Sequence, residues 1–223
     1  EETPMSKLPD ISSILQTAVH KDETAAFEQT LSSTGVNLDD IEPFSELPIR
    51  PIRYGKDDLH KVHDSGVRDS IVNLTRVLTQ IEGPVHPDRL VSFIAKCFGL
   101  SHVRSERSAE IVRVVPINTF QRDAEGFIFP EGKTVATFTS WKRKTKGDSR
   151  DLRQISLTEI GNAMVDLCRR THGMQQDELL RQTGLAFGHK TLSSVVRART
   201  EKALAFAVSR KLLSLIGDHY ESN

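Results

Sequence analysis

The sequence has few cysteines and no long apolar run, and both absences narrow the class of protein. Two cysteines in 223 residues are too few for the disulfide framework of a small secreted protein. No apolar run approaches the roughly 18 to 20 residues that cross a bilayer. The first residues, EETPMSKLPD, lack the basic and apolar regions of a signal peptide. We therefore expect a cytoplasmic protein without membrane contact, in which Cys97 and Cys168 are buried free thiols. Because the chain does not begin with methionine, we also expect it to be part of something longer.

Motifs that carry catalytic chemistry are missing as well. No GxxxxGK phosphate loop occurs, which excludes a nucleotide-hydrolysing site of that kind. His60 and His63 are three residues apart, but no third metal ligand follows at a convincing spacing, so surface histidines are the preferred interpretation. Asp88, Glu131 and Lys133 mimic the residues of restriction-type nucleases, yet such a site needs its acids on adjacent strands around a magnesium ion. We expect no catalytic site, no metal and no cofactor.

The net charge of zero conceals two oppositely charged parts. Residues 1–50 contain ten acidic and three basic residues, a net charge of −7, so the rest of the chain carries +7. Residues 12–31 have a helical pattern with an apolar face. The run EPFSELPIRPIRYG at 42–55 is expected to dock in extended form, because its prolines disfavour helix. This acidic arm could pack on the basic body as ordinary scaffold, or it could compete with a polyanion that binds the body.

Three helices and two short strands are predicted in the first half of the body. Apolar residues at spacings of three and four predict a helix over 56–81. A second helix over 87–97 has Pro87 in its first turn and Asp88 at the positive end of the helix dipole, where both are favoured. The pattern continues with a helix over 101–115 and with short strands near 118–121 and 127–130.

The same order of elements is predicted again after residue 150. A helix ends at Gly173, and an acidic first turn opens the next helix, which stops at Gly188. Residues 211–220 have the pattern of a terminal strand. The third helix, over 191–209, is expected to face the core with Leu192, Val195, Val196, Ala203, Leu204 and Ala207.

A shared spacing supports a repeat of the two halves. Leu90 and Phe98 are eight residues apart, as are Leu179 and Phe187, and glycine follows each phenylalanine. Three short helices followed by a β-hairpin describe a winged helix, a variant of helix-turn-helix. We therefore predict a mainly α fold of tandem winged-helix-like units with short β-hairpins. The expected organisation is an acidic helix and linker over 1–55, a first unit over 56–130, a basic connecting loop over 131–150 and a second unit over 151–223.

Four stretches of the sequence resemble a bacterial family of unknown function. They are EGPVHPDRL, GFIFPEG, SWKRKTKGDSRDLRQISLTEIGNAM and QDELLRQTGLAFG, and the likeness runs from about Val67 to Arg210. That family forms the C-terminal region of large helicase-related proteins, whose other parts look like a superfamily-1 helicase and a small endonuclease-like domain. Where the family usually has Gly-Phe/Leu-x-Arg, this chain has GlyLeuSerHis and GlyHisLysThr. The resemblance implies a setting beside catalytic domains, and it supplies no catalytic residues.

Basic residues concentrate at 141–153, where TrpLysArgLysThrLysGlyAspSerArgAspLeuArg has a net charge of +4. Flexible cations suit phosphate contact because neutralising phosphates releases counterions, although a solvated linker would have the same composition. Trp141 could stack on a base or anchor the loop in the core. Other cations lie on or beside the third helices, where ion pairs with nearby glutamates are the alternative. The candidate nucleic-acid-binding residues are Arg104, Arg107, Arg113, Lys142, Arg143, Lys144, Lys146, Lys190, Arg197, Arg199 and Lys202.

Two functions from different classes follow from these patterns. The first is a non-catalytic module that binds nucleic acid, DNA in the first instance, for catalytic domains elsewhere in the parent protein. The alternative is a protein-docking module for those catalytic domains or for a partner subunit. A continuous basic stripe across both third helices and the 141–153 loop would favour nucleic acid. Scattered charge around an exposed apolar patch would favour protein docking.

Overall fold

The computed structural model describes residues 36–145, 148 and 150–223, and this part of the chain is mainly helical with one small antiparallel sheet. The predicted acidic helix over 12–31 lies outside the described residues. In the order of the chain, the helices are α1 (Ser65–Glu82), α2 (Pro87–Cys97), α3 (Ser105–Val114), α4 (Leu157–Thr171), α5 (Gln176–Ala186) and α6 (Ser194–Ser209). The strands are β1 (Met174–Gln175), β2 (Leu213–Ile216) and β3 (His219–Ser222).

The first half contains the three expected helices, but the first of them is shorter than predicted. Helix α1 begins at Ser65, and the preceding residues form a 3₁₀ turn at Asp58–His60. The Asp58 carboxylate accepts a hydrogen bond from the Gly55 backbone N–H at 2.9 Å, which closes this turn instead of continuing a helix. His60 and His63 therefore do not share a helix, as the predicted 56–81 element required.

Helix α2 has the predicted boundaries because its start is specified locally. Pro87 occupies the first turn, where its missing N–H removes no intrahelical bond. The His86 ring nitrogen Nδ1 accepts a hydrogen bond from the Asp88 backbone N–H at 3.2 Å and caps the helix. At the other end, Phe98 is buried and Gly99 has a positive φ of 82°, a conformation that glycine adopts without strain.

The second half has the three predicted helices, but α6 begins at Ser194 and not at 191, and the short strand β1 was not predicted. Ser156 caps α4 by accepting a hydrogen bond from the Glu159 backbone N–H at 3.1 Å. Residues 211–220 were expected to form a single terminal strand. They instead contribute to a hairpin of β2 and β3. Gly217, with φ of 63°, makes the turn that reverses the chain. The three strands are ordered β1-β3-β2 and all pairs are antiparallel.

The two halves use the same order of elements and comparable β pairing. In the second half, Tyr220 pairs with both Met174 and Leu215. In the first half, Ile128 pairs with both Val85 and Arg122, but only through isolated bridges. The strands predicted near 118–121 and 127–130 therefore shrink to single pairs. The physical reason is a tight turn after Arg122, where the Asp123 carboxylate accepts hydrogen bonds from two backbone N–H groups at 2.9 Å.

Each half has its own apolar core. Leu90 and Phe98 lie in the core of the first unit (56–130), and Leu179 and Phe187 lie in the core of the second unit (151–223). A small cluster of Phe127, Phe129 and Phe138 lies apart from both. The cysteines are buried and free, as predicted. No helix among the described residues has the length and apolar character that a membrane crossing needs.

Residues 36–47, which we call the strap, connect the two cores. Val36 and Leu38 are buried in the core of the second unit, whereas Leu47 is buried in that of the first. Pro43 forms a β-bridge with Arg143 of the connecting loop, and no regular helix occurs between residues 36 and 55. In the proline-rich run, Phe44 and Leu47 are buried and residues 48–51 are exposed, so docking of the whole run in extended form stays a prediction.

Candidate binding surfaces

The basic connecting loop is packed into the protein and is not a solvated linker. Lys142 and Arg143 are both buried. The Lys142 ammonium donates hydrogen bonds to the Glu42 carboxylate and to the Ile81 carbonyl, both at 2.6 Å. Arg143 Nε donates to the Ile41 carbonyl at 3.1 Å. These two candidate residues present almost no charge to a phosphate, which corrects the expectation of an exposed, flexible loop.

A buried polar junction lies beneath the loop. The Glu159 carboxylate is enclosed, and its Oε1 accepts hydrogen bonds from the Lys142 backbone N–H and from the Arg150 guanidinium, both at 3.2 Å. Arg150 also pairs with Asp148 at 3.1 Å. Burial raises the pKa of Glu159, because the charged carboxylate loses its water, and Arg150 opposes this effect. Arg150, one of the cations of the basic stretch 141–153, is therefore held in internal ion pairs.

Trp141 and Lys144 of the connecting loop also make internal contacts. Trp141 packs against Phe187 with ring centroids 5.8 Å apart in the second core, so it anchors the loop and is not exposed for stacking on a base. The Lys144 ammonium donates a hydrogen bond to the Asp148 carbonyl. Lys146 lies outside the described residues.

The third helix of the first unit exposes two of its three candidate arginines. Arg107 donates to the Leu59 carbonyl at 2.8 Å, and it pairs with Glu110 at 3.2 Å, so it fastens α3 to the preceding turn. Arg104 and Arg113 are exposed and have no ion pair among the described residues. The alternative of ion pairing thus holds for Arg107.

The third helix of the second unit uses its cations in ion pairs. Arg199, almost buried, pairs with Glu125 of the first unit at 2.9 Å, and Lys202 pairs with the same carboxylate at 2.5 Å. Although burial raises the pKa of Glu125, the hydrogen bonds from both cations lower it below its ordinary value overall. Arg197 pairs with Asp177 at 2.8 Å on the exposed face. Lys190, before the helix, is exposed and has no ion pair among the described residues.

Four exposed apolar side chains lie on two elements of the second unit. Val195 and Val208 on α6 are 60% and 40% exposed, and Leu215 and Ile216 on β2 are 58% and 57% exposed. These four residues, which we call the apolar surface, were not singled out by sequence analysis, and Val195 was expected to face the core. Val196, not Val195, has the i, i+4 spacing to the buried Thr200, and this spacing is the signal that separates the two valines.

The described residues contain no group of three or more His, Cys, Asp or Glu that could hold a metal ion. Asp88 lies in the first turn of α2 and Glu131 pairs with Arg76 at 2.5 Å. The nuclease-like set therefore stands on a helix end and in a turn, without the two adjacent strands that such a site uses.

Comparison of the chain with protein-family models, with curated proteins and with solved structures gave no match. The resemblance to the C-terminal region of helicase-related proteins therefore stays an expectation from the sequence motifs.

Proposed function

We propose that the chain is a non-catalytic protein-docking module built from two winged-helix units, 56–130 and 151–223. The order of three helices followed by a hairpin supports this architecture. The pairing of Tyr220 with Met174 and Leu215, and of Ile128 with Val85 and Arg122, supports it further, because both sets give the strand order 1-3-2. Winged helices serve either nucleic-acid or protein recognition, so the surfaces must decide between these partners.

The observation that carries the docking function is the distribution of apolar and charged surface. Four of the six large apolar side chains that are exposed in the described part lie on α6 and β2. These are the third helix and the hairpin, the elements with which a winged helix usually makes contact. On α6 the cations are engaged in ion pairs, as Arg199 and Lys202 show with Glu125. Arg210 and Lys211, between α6 and β2, are exposed and have no ion pair among the described residues. Exposed apolar side chains beside internally paired charge are typical of a protein interface.

The partners that fit this surface best are the catalytic domains of the parent protein or a partner subunit. The sequence resemblance implies a parent protein with a helicase-like and an endonuclease-like domain, which would need a fixed position relative to the chain. In this role the chain acts on no substrate, and it requires neither metal nor cofactor.

Nucleic-acid binding is the second candidate, and a specific observation favours it. Arg104, Arg113 and Lys190 are exposed and have no ion pair among the described residues, so they can contact phosphates without breaking an internal contact. The continuous stripe that this function needs is interrupted, however, by the buried Lys142 and Arg143. We therefore rank DNA binding below protein docking.

The two functions are separated by one set of binding measurements. The chain and its Leu215→Lys/Ile216→Glu variant, in which the net charge is unchanged, are titrated with the purified helicase-like and endonuclease-like regions of the parent and with a short labelled duplex. Protein docking requires at least about a tenfold loss of affinity for a protein region, equivalent to about 1.4 kcal/mol, with duplex binding unaffected. Ile117→Lys, at an exposed apolar residue outside the apolar surface, is the control. Tight, steeply salt-dependent duplex binding without any protein binding would favour the second candidate.

A further inference from the structure

The strap is fastened to both units by its ends. Val36 and Leu38 are buried in the second core and Leu47 is buried in the first. The Leu47 backbone N–H also donates a hydrogen bond to the Glu82 carboxylate at the end of α1, at 2.8 Å. The eight residues between Leu38 and Leu47 therefore connect one core to the other, by way of a turn that the Ile41 N–H closes on the Leu38 carbonyl at 3.0 Å.

Three carboxylates of the strap contact three different parts of the protein. Asp40 accepts two hydrogen bonds from Arg170 of the second unit, both at 2.8 Å, and this bidentate pair lowers the pKa of Asp40. Glu42 pairs with Lys142 of the connecting loop at 2.6 Å, and Glu46 pairs with Arg89 of the first unit at 3.3 Å. The three carboxylates of the strap thus contact the second unit, the connecting loop and the first unit in turn.

The middle of the strap is bound to the connecting loop. The Phe44 backbone N–H donates to the Arg143 carbonyl at 2.9 Å, and the Arg143 backbone N–H donates to the Glu42 carbonyl at 3.0 Å. The Arg150 guanidinium lies 3.5 Å from the centroid of the Phe44 ring, a cation–π contact. Strap and loop consequently form one layer between the two units.

Helices of the two units, by contrast, make their main packing contacts within their own unit. One direct contact between the units that bypasses the strap is polar, since Glu125 of the first unit pairs with Arg199 and Lys202 of the second. The Asn162 amide of the second unit donates to the Phe138 and Ser140 carbonyls of the connecting loop at 3.0 and 2.9 Å. Small polar interfaces of this kind allow relative motion of domains unless something else restrains them.

Two of the three basic partners of the strap do not depend on it for neutralisation. Arg170 also pairs with Asp166 of its own helix at 2.9 Å, and Arg89 also pairs with Glu82 of its own unit. Release of Asp40 or Glu46 would therefore leave neither cation unpaired, whereas release of Glu42 would leave the buried Lys142 with the Ile81 carbonyl as its remaining contact. The two end contacts can thus open without the cost of an unpaired buried charge, and the central one cannot.

We propose that the strap is an electrostatic latch. While its carboxylates are paired, the strap holds the two units in one relative orientation. When those pairs are lost, the units move about the connecting loop. This goes beyond the docking function, because it concerns the geometry between the units and not the surface that a partner covers. A change that neutralises or draws away the acidic strap would alter the relative position of the first unit and the apolar surface.

The latch is tested by distance measurement between spin labels on the two units. Labels are attached to Ala109→Cys on α3 and Ala205→Cys on α6, both of which are exposed. The native Cys97 and Cys168 are buried and burial raises the pKa of both thiols, so they should not react. The latch variant is Asp40→Asn/Glu42→Gln/Glu46→Gln. The control removes three exposed carboxylates elsewhere and is Asp64→Asn/Asp69→Asn/Asp218→Asn.

We expect one narrow distance distribution for the native strap and for the control, and a broad or two-peaked distribution for the latch variant with unchanged helical circular dichroism. A latch variant as narrow as the native protein would overturn the proposal, as would a broad distribution with the native strap. Should the triple variant lose helix content, the single variants Asp40→Asn and Glu46→Gln replace it, because their basic partners keep Asp166 and Glu82. Narrow, native distances in both single variants would overturn the proposal equally.

Discussion

The third helices of the two units occupy the same place in the order of elements, yet they present different surfaces. Helix α3 has 10 residues and buries Ile111, whereas α6 has 16 residues and buries five side chains against α4 and its neighbours. Arg104, just before α3, and Arg113, in its last turn, are exposed, whereas the exposed residues of α6 include Val195 and Val208 at its two ends. The exposed residues at the ends of α3 are thus basic, whereas those at the ends of α6 are apolar.

The packing beneath α6 explains its larger buried face. A Cβ atom placed on Gly161 of α4 would lie 3.5 Å from the Cβ of Ala207, and Ala203 lies beside it. Small residues on both helices let the two backbones approach closely, so α6 is held along its length by α4. Helix α3 has no such partner and is fastened partly by the hydrogen bonds of Arg107.

The largest effects are expected in the two cores, where matched substitutions compare the units. Leu90→Ala and Leu179→Ala each remove a fully buried side chain and should each cost about 2 to 5 kcal/mol. Trp141, the single tryptophan, lies in the second core, so its fluorescence reports that unit. Because the cores are separate, we expect Leu179→Ala to lower the denaturation midpoint of Trp141 fluorescence and Leu90→Ala to leave it nearly unchanged. Equal shifts of that midpoint would show instead that the two cores unfold together.

A smaller effect is expected at the polar contact between the units. Glu125→Gln removes the carboxylate that neutralises Arg199, whose side chain is 10% exposed. The guanidinium would keep its hydrogen bond to the Ile155 carbonyl at 2.6 Å but lose its counter-charge. We expect the free energy of unfolding, measured by chemical denaturation, to fall by about 2 kcal/mol.

Glu201→Gln is the matched control for this contact, because it weakens the exposed pair with Arg197 and should change stability by about 0.5 kcal/mol or less. If both variants lost the same stability, burial of Arg199 would not be what makes the Glu125 contact important.

Local structure could be predicted from the sequence, and long-range partners could not. The limits of α2 followed from Pro87, and the glycines after Phe98 and Phe187 marked helix ends, because such signals act within a few residues. The burial of Lys142 depends on Glu42, which is 100 positions away in the sequence. A basic run looks the same whether its counter-charges are solvent ions or a distant acidic strap, so composition alone suggested a free loop.

The pH dependence of stability should differ in sign between two carboxylates near the junction. Burial raises the pKa of Glu159 above its ordinary value of 4.5, so its contribution to stability is complete below that pH and is lost as the pH rises through the folded pKa. Glu159→Gln should therefore flatten the fall in stability above about pH 4.5. The measurement is the thermal midpoint as a function of pH.

Asp151 provides the opposite case. A hydrogen bond from Arg153 lowers the pKa of Asp151 to about 2, so its contribution is present above pH 3.8 and is lost as the pH falls toward 2. Asp151→Asn should flatten the acid side of the profile and leave the higher range unchanged. The assignment for Glu159 would be wrong if Glu159→Gln affected only the acid side, as Asp151→Asn does.

The smallest effect is expected in DNA binding, where it separates the two third helices. Arg104 and Arg113 on the first unit are exposed without ion pairs among the described residues, whereas Arg197 on the second pairs with Asp177 and Glu201. An arginine contributes to phosphate binding by releasing counterions, so a cation already neutralised by carboxylates contributes less. Any binding of a short duplex at low salt should therefore lose about two units of its logarithmic salt slope in Arg104→Ala/Arg113→Ala. Arg197→Ala should leave the slope nearly unchanged in the same fluorescence-anisotropy titration. A loss with Arg197→Ala as large as that of one exposed arginine would mean that the ion pairs of α6 open on DNA, and the second unit would then be a nucleic-acid surface after all.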